Sequence, residues 1–380
     1  MERTEFLIIG AGPYGLAAAA YAQSLGIKAT VAGKPLDFWK TSMPRGMFLR
    51  SGPDWHLDAR EAATFEAYVR GRGLAATEIT PVPLDTFLDY AGWFMGEYGV
   101  VPRNAHVRHL AKSNGEYIAS LDDGSRLSAS RVLLALGFAF FKHYPEDLTR
   151  KFPPGSFTHT CDAIHFDQYR GRRVLIVGGR QSAFEWAALI REHGAEEVHV
   201  VYRHPTPSFT APDWSWVKPM VWRTFQDHAW WRKLAPGEQE RIQKKFWIAG
   251  RLTLEEWLAA RVDQPGIHRH EMTCIESAGA HVNGTYEIRL SDNSRCNVHH
   301  VILATGYHPA MGNVAFLDRE TILDRLATID GFPLLDPEFQ TNLPGLYVSG
   351  LAATRDFGPF FGFTVGCPVA ARIIGDAVAG

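Results

Sequence analysis

The chain has 380 residues, of which 46% are hydrophobic and 21% charged; these are proportions of an ordinary folded protein, not of a disordered one. Lys and Arg number 39 against 41 Asp and Glu, a net charge of −2, so there is no broad basic field and no nucleic-acid partner is expected. The length allows two or three domains. The four cysteines, Cys161, Cys274, Cys296 and Cys367, form no CxxC. That excludes a zinc ribbon and a dithiol redox pair, and scattered thiols fit a reducing, cytoplasmic compartment.

The start, Met1-Glu2-Arg3-Thr4-Glu5, has no basic leader character. Residues 6–22 are uncharged but interrupted by three glycines and Pro13, so they read as a buried βα unit and no integral membrane segment is expected. Phe6-Leu7-Ile8-Ile9 suits a buried parallel strand. Gly10-Ala11-Gly12-Pro13-Tyr14-Gly15 follows as G-x-G-x-x-G, then a helical stretch from Leu16 to Leu25, Gly26, and a second strand over Lys28–Ala32. In such a turn Gly10 makes the bend, Gly12 lets a pyrophosphate approach, and Gly15 lets helix and strand pack. Pro13 suits the first helical turn, where its missing N–H has no partner to lose. The strand–turn–helix context makes this a dinucleotide site. The acidic residue that should end the second strand and hold a ribose is missing from Val31-Ala32-Gly33-Lys34, and Asp37 comes late.

Tyr117–Leu121 alternates in character before the turn Asp122-Asp123-Gly124-Ser125, and Tyr286–Leu290 does the same before Ser291-Asp292-Asn293-Ser294; both read as meander hairpins, one in each half. Arg173–Val177 is a second buried-strand run. Gly178-Gly179-Arg180-Gln181-Ser182-Ala183 follows it, then a helix to about His193 and a strand over Glu197–Tyr202. This is G-x-G-x-x-A with Arg180 in the middle-glycine place. Its guanidinium either grips the pyrophosphate or weakens the site, while the helix N-terminus still favours an anion. Arg203-His204 then falls where a basic residue pairs with the 2′-phosphate of NADP.

Two dinucleotide turns without a CxxC resemble the class B flavoprotein monooxygenases, which use FAD and NADPH: the flavin-containing, N-hydroxylating and Baeyer–Villiger enzymes. Val301-Ile302-Leu303-Ala304-Thr305-Gly306-Tyr307 resembles their A-T-G-Y strand and turn, and Val132-Leu133-Leu134-Ala135-Leu136-Gly137 its outward partner. Leu343–Gly350 resembles the late FAD strand, followed by the turn Phe357-Gly358-Pro359, and Trp39 stands where these enzymes often carry a Trp. Phe152-Pro153-Pro154-Gly155-Ser156-Phe157-Thr158-His159 has the Gly-to-His spacing of their F-x-G-x-x-x-H motif, with Phe one residue early. Residues 46–56 lack the Asn that many members place beside the flavin, leaving Arg50, Ser51 and His56 as local candidates.

The resemblance implies an α/β fold of two Rossmann-like dinucleotide-binding domains of the three-layer type. The FAD-binding domain covers 1–150 and 311–380, and the NADP-binding domain, 151–310, is inserted in it. It further implies that Gly10, Gly12, Pro13, Tyr14, Gly15, Trp39, Ala135, Gly137, Gly350, Phe357 and Gly358 hold FAD. Gly178, Gly179, Arg180, Gln181, Ser182, Arg203, His204, Thr305 and Gly306 hold NADPH, and Ser51, His56 and Tyr307 are the catalytic candidates. The implied reaction passes a hydride from NADPH to FAD and an oxygen atom from O2, through a C4a-(hydro)peroxyflavin, to a small-molecule substrate, at nitrogen or sulfur ahead of a carbonyl. The competing readings are a reductase passing electrons to a protein partner and an oxidase with a degraded NADP site.

Residues 205–262 hold seven of the eleven tryptophans and form a helical, aromatic-rich insert, with helices expected over Gly237–Ala249 and Leu254–Val262. It reads as a lid or pocket wall, a membrane-surface patch around Trp230-Trp231-Arg232-Lys233, or a satellite core or homodimer contact. The His268-Arg269-His270 and His299-His300 clusters have no ligand partner at useful spacing and read as strand ends and loops, so no metal is expected.

Overall fold

A computed structural model describes residues 1–281 and 284–380 of the chain. Two sheets organise them. In the first, β1 (Glu2–Ile9) pairs in parallel with β2 (Ala29–Ala32) on one side and with a long strand over Arg126–Leu134 on the other. Helix α1 (Pro13–Ser24) joins β1 to β2 and is buried over most of its surface by a run of small alanines, Ala17 to Ala20. Small side chains let it lie between the sheet and the C-terminal helix Cys367–Ala379. There Tyr21 donates to Asp376 at 2.9 Å, and a Cβ on Gly375 would stand 2.5 Å from the Tyr21 ring.

The meander β3 (Val107–Ser113), β4 (Glu116–Leu121) and β5 (Arg126–Leu134) is antiparallel. The β5 edge away from β1 is used twice. Its first half pairs with β4, and Val132–Leu134 pair in parallel with the late strand Leu346–Val348.

The second sheet is parallel throughout. Strand β6 (Phe157–His159), β7 (Arg173–Val177), β8 (Glu197–Val201), β9 (Ile267–His270) and a strand over His300–Leu303 lie in the spatial order β9-β8-β7-(300–303)-β6. Helix α2 (Gln181–Glu192) joins β7 to β8. The expected strands at 173–177 and 286–290 are found with those bounds.

The insert departs from expectation in two ways. Its long helix, Pro236–Arg251, is present, but 254–262 is not one helix. Leu254 pairs with Phe209 in a two-residue parallel bridge, its carbonyl accepting from Thr210, and only single turns follow at 256–258 and 259–262. The insert is also divided between the two cores: Leu254, Leu258 and Val262 stay with the second, whereas Val217, Val221, Trp230, Trp231 and Phe246 pack on the first. Trp231 is 1% exposed, its indole donates to the Arg355 carbonyl at 3.2 Å, and its ring meets Phe360 edge-on at 6.2 Å. Trp230 is buried beside it and donates to Thr224 at 2.6 Å. Arg232 points inward too, donating to the carbonyls of Asp336 and Asp356. The membrane-surface reading of this quartet therefore fails, because its aromatic faces are already covered.

Candidate functional site

Both glycine turns sit at the C-terminal ends of parallel strands, where open α/β sheets bind ligands. At the first, Gly10 has φ +113°, and a Cβ there would stand 2.3 Å from the Ala135 carbonyl oxygen. A Cβ on Gly15 would stand 1.8 Å from the Gly10 carbonyl. Gly12 differs: no atom lies within 4 Å of the Cβ it lacks. The turn is thus closed against its own backbone and open on the side a pyrophosphate would occupy. Helix α1 begins there with no side-chain cap and no acidic residue in its first turn. Its positive end is uncompensated and fits an anion. Across the turn, Ser349 ends the late strand with its hydroxyl buried and unpaired among the described residues, beside Gly350 at φ +76°. Gly137, φ +59°, leaves open space in the same way as Gly12. A bound FAD fits this cradle.

The second turn repeats the construction. Gly178 has φ +144°, with the Ala304 carbonyl 2.6 Å from its absent Cβ, and helix α2 again starts uncapped and without acid. Gly179 is overlain by Tyr202 and by the His204 ring, whose Nε2 lies 2.8 Å from the missing Cβ. Arg180 sets its guanidinium 5.2 Å from the Trp247 ring centre, so it reaches toward the insert. Arg203 is exposed at the end of β8. The donor set fits an NADP pyrophosphate and 2′-phosphate. Gln181 is engaged, its carbonyl accepting from the Glu255 backbone at 3.1 Å, and Ser182 is exposed at the first turn of the helix.

Between the sheets the two crossover segments meet in a polar clasp. His159 is fully buried; its Nε2 donates to the Gly306 carbonyl at 3.0 Å and its Nδ1 lies 3.1 Å from Cys161 Sγ. Thr305 donates to the His143 carbonyl at 2.5 Å. Tyr307 packs among Phe38, Phe138 and His159, with ring centres 4.8 to 6.1 Å away. Burial, reinforced by the Cys161 hydrogen bond, holds its phenol far above the ordinary range. Among the described residues no hydrogen bond or ring contact joins Tyr307 to His56 or Ser51. Tyr307 and Thr305 are both held within this clasp.

His56 adjoins a second cluster through its chain neighbour Trp55. His56 is 4% exposed, with Nδ1 buried and unpaired. Burial, then the charge of Lys218, opposed by Asp58, pull its pKa to about 4, so the ring is neutral at neutral pH. Trp55 meets Trp214 at 5.7 Å and Phe363 at 6.3 Å, and Phe246 meets Phe363 at 5.2 Å. The indole N–H groups of Trp55 and Trp214 are also buried without partners among the described residues. Buried donors left unpaired are what a bound molecule would satisfy. The wall adjoins the first turn, because Tyr14 donates its hydroxyl to the carbonyls of Phe361 and Phe363 at 2.6 and 2.9 Å. Ser51 is half-buried in the same segment.

Several expected site residues take structural places. Arg50 pairs with Glu255 at 2.9 Å and donates to the Gly250 and Thr253 carbonyls, stapling the first unit to the insert. The Tyr14 hydroxyl is engaged as just described. Phe357 is fully buried, stacked on Phe339 at 3.6 Å, and Gly358 makes room for the Trp231 ring. Both support packing, because the ring of Phe357 has no exposed face. Trp39 stacks on Phe87 at 4.5 Å. Trp214 and Phe246 come from the 205–262 stretch that the sequence offers as a pocket wall; Trp55, Phe363 and Ser349 join them from outside it without a signal of their own. A groove of 490 Å³ on the insert, lined by Thr210, Trp216, Arg241 and Lys245 among others, includes none of the glycine-turn residues.

The histidine clusters also need correction. His299 and His300 bond across the sheet instead, His299 Nδ1 accepting from the Arg173 N–H and His300 Nε2 meeting the Thr158 hydroxyl. His268 and His270, however, lie on β9 beside Glu197 and His199 of β8, and the ligand atoms of Glu197, His199 and His268 all stand within 4.8 Å of one another.

The family described as pyridine nucleotide-disulphide oxidoreductase matches residues 85–244. The FAD-dependent urate hydroxylase of Xanthomonas campestris is 28% identical over 147 residues, 37% of this chain and 31% of that protein. A ferredoxin–NADP reductase of Nocardioides is 30% identical over 207 residues, 52% of this chain and 54% of that one. The chain thus spans about a third to a half of these curated relatives. The solved ornithine hydroxylase of Pseudomonas aeruginosa superposes over 99% of both chains with a TM-score of 0.77 at 18% identity. The chain has the α/β fold of the two-dinucleotide-domain flavoproteins, arranged as in the flavin-dependent hydroxylases. No helix among the described residues is long and apolar enough to cross a membrane.

Proposed function

We propose that the chain is an FAD- and NADPH-dependent monooxygenase that adds oxygen to the nitrogen or sulfur of a small organic substrate, in the cytoplasm. The observation that carries this is the pair of uncapped helix N-termini on two glycine turns, one of them next to a wall of aromatic rings with unpaired polar atoms. The four cysteines are free, so no disulfide stands ready to take electrons. Residues 1–150 and 311–380 would hold FAD, and 151–310 NADPH.

The chemistry that the cofactors supply when bound is hydride transfer from nicotinamide to flavin and reaction of the reduced flavin with O2. The protein's own part is binding, orientation and exclusion of water. Gly12 and the N-terminus of α1 would receive the FAD pyrophosphate, with the Ser349 hydroxyl donating to the same ligand. Gly178, Gly179 and the N-terminus of α2 would receive that of NADPH, and Arg203 its 2′-phosphate. Trp55, Trp214, Phe246 and Phe363 would keep water from the reacting region and cover an apolar part of the substrate. His56, neutral and lacking a partner on Nδ1, would accept a proton from the substrate heteroatom. Tyr307 and His159 would hold the two units in register.

The test is oxygen uptake by FAD-loaded protein with NADPH, across small amines and thioethers. Substrate-stimulated uptake equal to the NADPH consumed supports the reading. The likeness to a ferredoxin–NADP reductase favours a second one: NADPH-driven reduction of ferredoxin, with no substrate raising oxygen uptake, would establish it instead.

A further inference from the structure

The edge of the second sheet carries a cluster of side chains with no part in the reaction above. Strands β8 and β9 run in parallel with His199 opposite His268 and Val201 opposite His270. Side chains two apart on a strand share a face, so Glu197, His199, His268 and His270 all project from the same side. The His199 ring stacks on His268 at 4.8 Å and on His270 at 5.3 Å. Glu197 reaches between two of them: its Oε2 lies 3.5 Å from His199 Nε2 and its Oε1 3.9 Å from His268 Nε2.

These separations suit a common ion. Ligand atoms about 2.0–2.2 Å from a tetrahedral metal stand roughly 3.3–3.5 Å from one another; the three groups, their ligand atoms all within 4.8 Å of one another, reach that by side-chain rotations that unstack the His199 and His268 rings. The fourth member has a different task. His199 Nδ1 lies 3.1 Å from His270 Nε2. A proton on Nδ1, donated to His270, leaves the Nε2 lone pair free on the side of Glu197, 3.5 Å away. That is the orientation in which outer partners hold metal-binding imidazoles. Access is open, since the side chains of His268 and Glu197 are 45% and 40% exposed while that of His199 is 11% exposed.

We propose that Glu197, His199 and His268 bind a divalent first-row transition-metal ion, with His270 as the positioning residue for His199. Two imidazoles and one carboxylate favour Zn²⁺ over the hard cations Mg²⁺ and Ca²⁺, and water would complete the coordination. Glu197 begins β8, whereas Tyr202 and His204, which cover the second glycine turn, follow its end. The ion is therefore remote from the nucleotide. Its effect is to clamp the edge strand β9 to its neighbour.

The test is calorimetric titration of tag-free protein, stripped with chelator, with Zn²⁺, alongside the visible absorption of bound Co²⁺. One ion per chain with a tetrahedral cobalt spectrum is expected, together with a rise in melting temperature on adding Zn²⁺. His268→Ala, at an exposed position, should fold normally and lose the binding, as should Glu197→Gln. His270→Ala should weaken it by about 10- to 100-fold, and the control His299→Ala should leave it unchanged. Absence of a stoichiometric site in the wild type overturns the proposal, as does equal affinity in His268→Ala and Glu197→Gln. Neither result touches the monooxygenase reading, which predicts oxygen uptake with or without zinc.

Discussion

Glu185 is a carboxyl buried where the second turn of α2 meets the segment after β2. It is fully enclosed; Oε1 accepts from the Phe48 backbone at 3.0 Å, and Oε2 has no partner among the described residues. Burial raises its pKa from the ordinary 4.5 to about 7, against the lowering effects of the Phe48 N–H, Arg261, Gln181 and Arg50. A carboxyl whose pKa is higher folded than unfolded holds its proton more tightly in the native state. Stability is then lost as pH rises from 4.5 towards 7. At about 1.4 kcal/mol per pH unit the loss comes to about 3 kcal/mol at pH 8. Glu185→Gln keeps an oxygen for Phe48 and removes the charge. Denaturant unfolding at pH 5 and pH 8 should find the variant close to wild type at pH 5 and more stable by about 2–3 kcal/mol at pH 8. Parallel behaviour at both values would refute the reasoning.

The two glycines of the first turn should separate folding from binding. Gly15→Ala places a methyl 1.8 Å from a carbonyl oxygen and should prevent folding. Gly12→Ala meets nothing in the empty turn and should melt like wild type without cofactor while retaining far less FAD; equal FAD retention would remove the turn from the site. Arg203→Glu should lower the preference for NADPH over NADH at least tenfold in kcat/KM, with no change in melting temperature, and an unchanged ratio would place the 2′-phosphate elsewhere. Trp231→Ala, which empties a buried site and leaves the Arg355 carbonyl unpaired, should cost about 3–5 kcal/mol in denaturant unfolding. A loss below about 1 kcal/mol would show that the insert docks without it.

Strand and turn positions were legible because their signals are local. Arg173–Val177 is an unbroken apolar run with a helix-starting turn behind it, and Pro13 marks the first residue of α1. What stayed hidden depends on pairs far apart in the chain. Arg50 meets Glu255, and Trp231 meets Arg355, by contacts that no periodicity encodes. The Trp-rich stretch was visible as composition, but which core it would cover was not. Its exit from β8 suggested the second unit, whereas Trp230, Trp231 and Phe246 belong to the core of the first. Phe357 follows the late strand and its place in the chain suggests a cofactor contact, yet its ring is buried and stacked on Phe339. The histidines were read along the chain, where His268 and His270 look isolated. Only the parallel register of β8 and β9 brings Glu197 and His199 to them.

The doubly used edge of β5 sets an order of events during synthesis. Its first half is capped by β4 almost at once, but Val132–Leu134 wait for Leu346–Val348, and every strand of the parallel second sheet lies between them in the chain. At about 5–20 residues per second on the ribosome, the later sheet can close while the earlier one still shows open backbone beside its glycine turn. Exposed strand edges invite wrong partners. Here the gap is three residues long, which keeps the vulnerable stretch short until the end of the chain arrives to seal it.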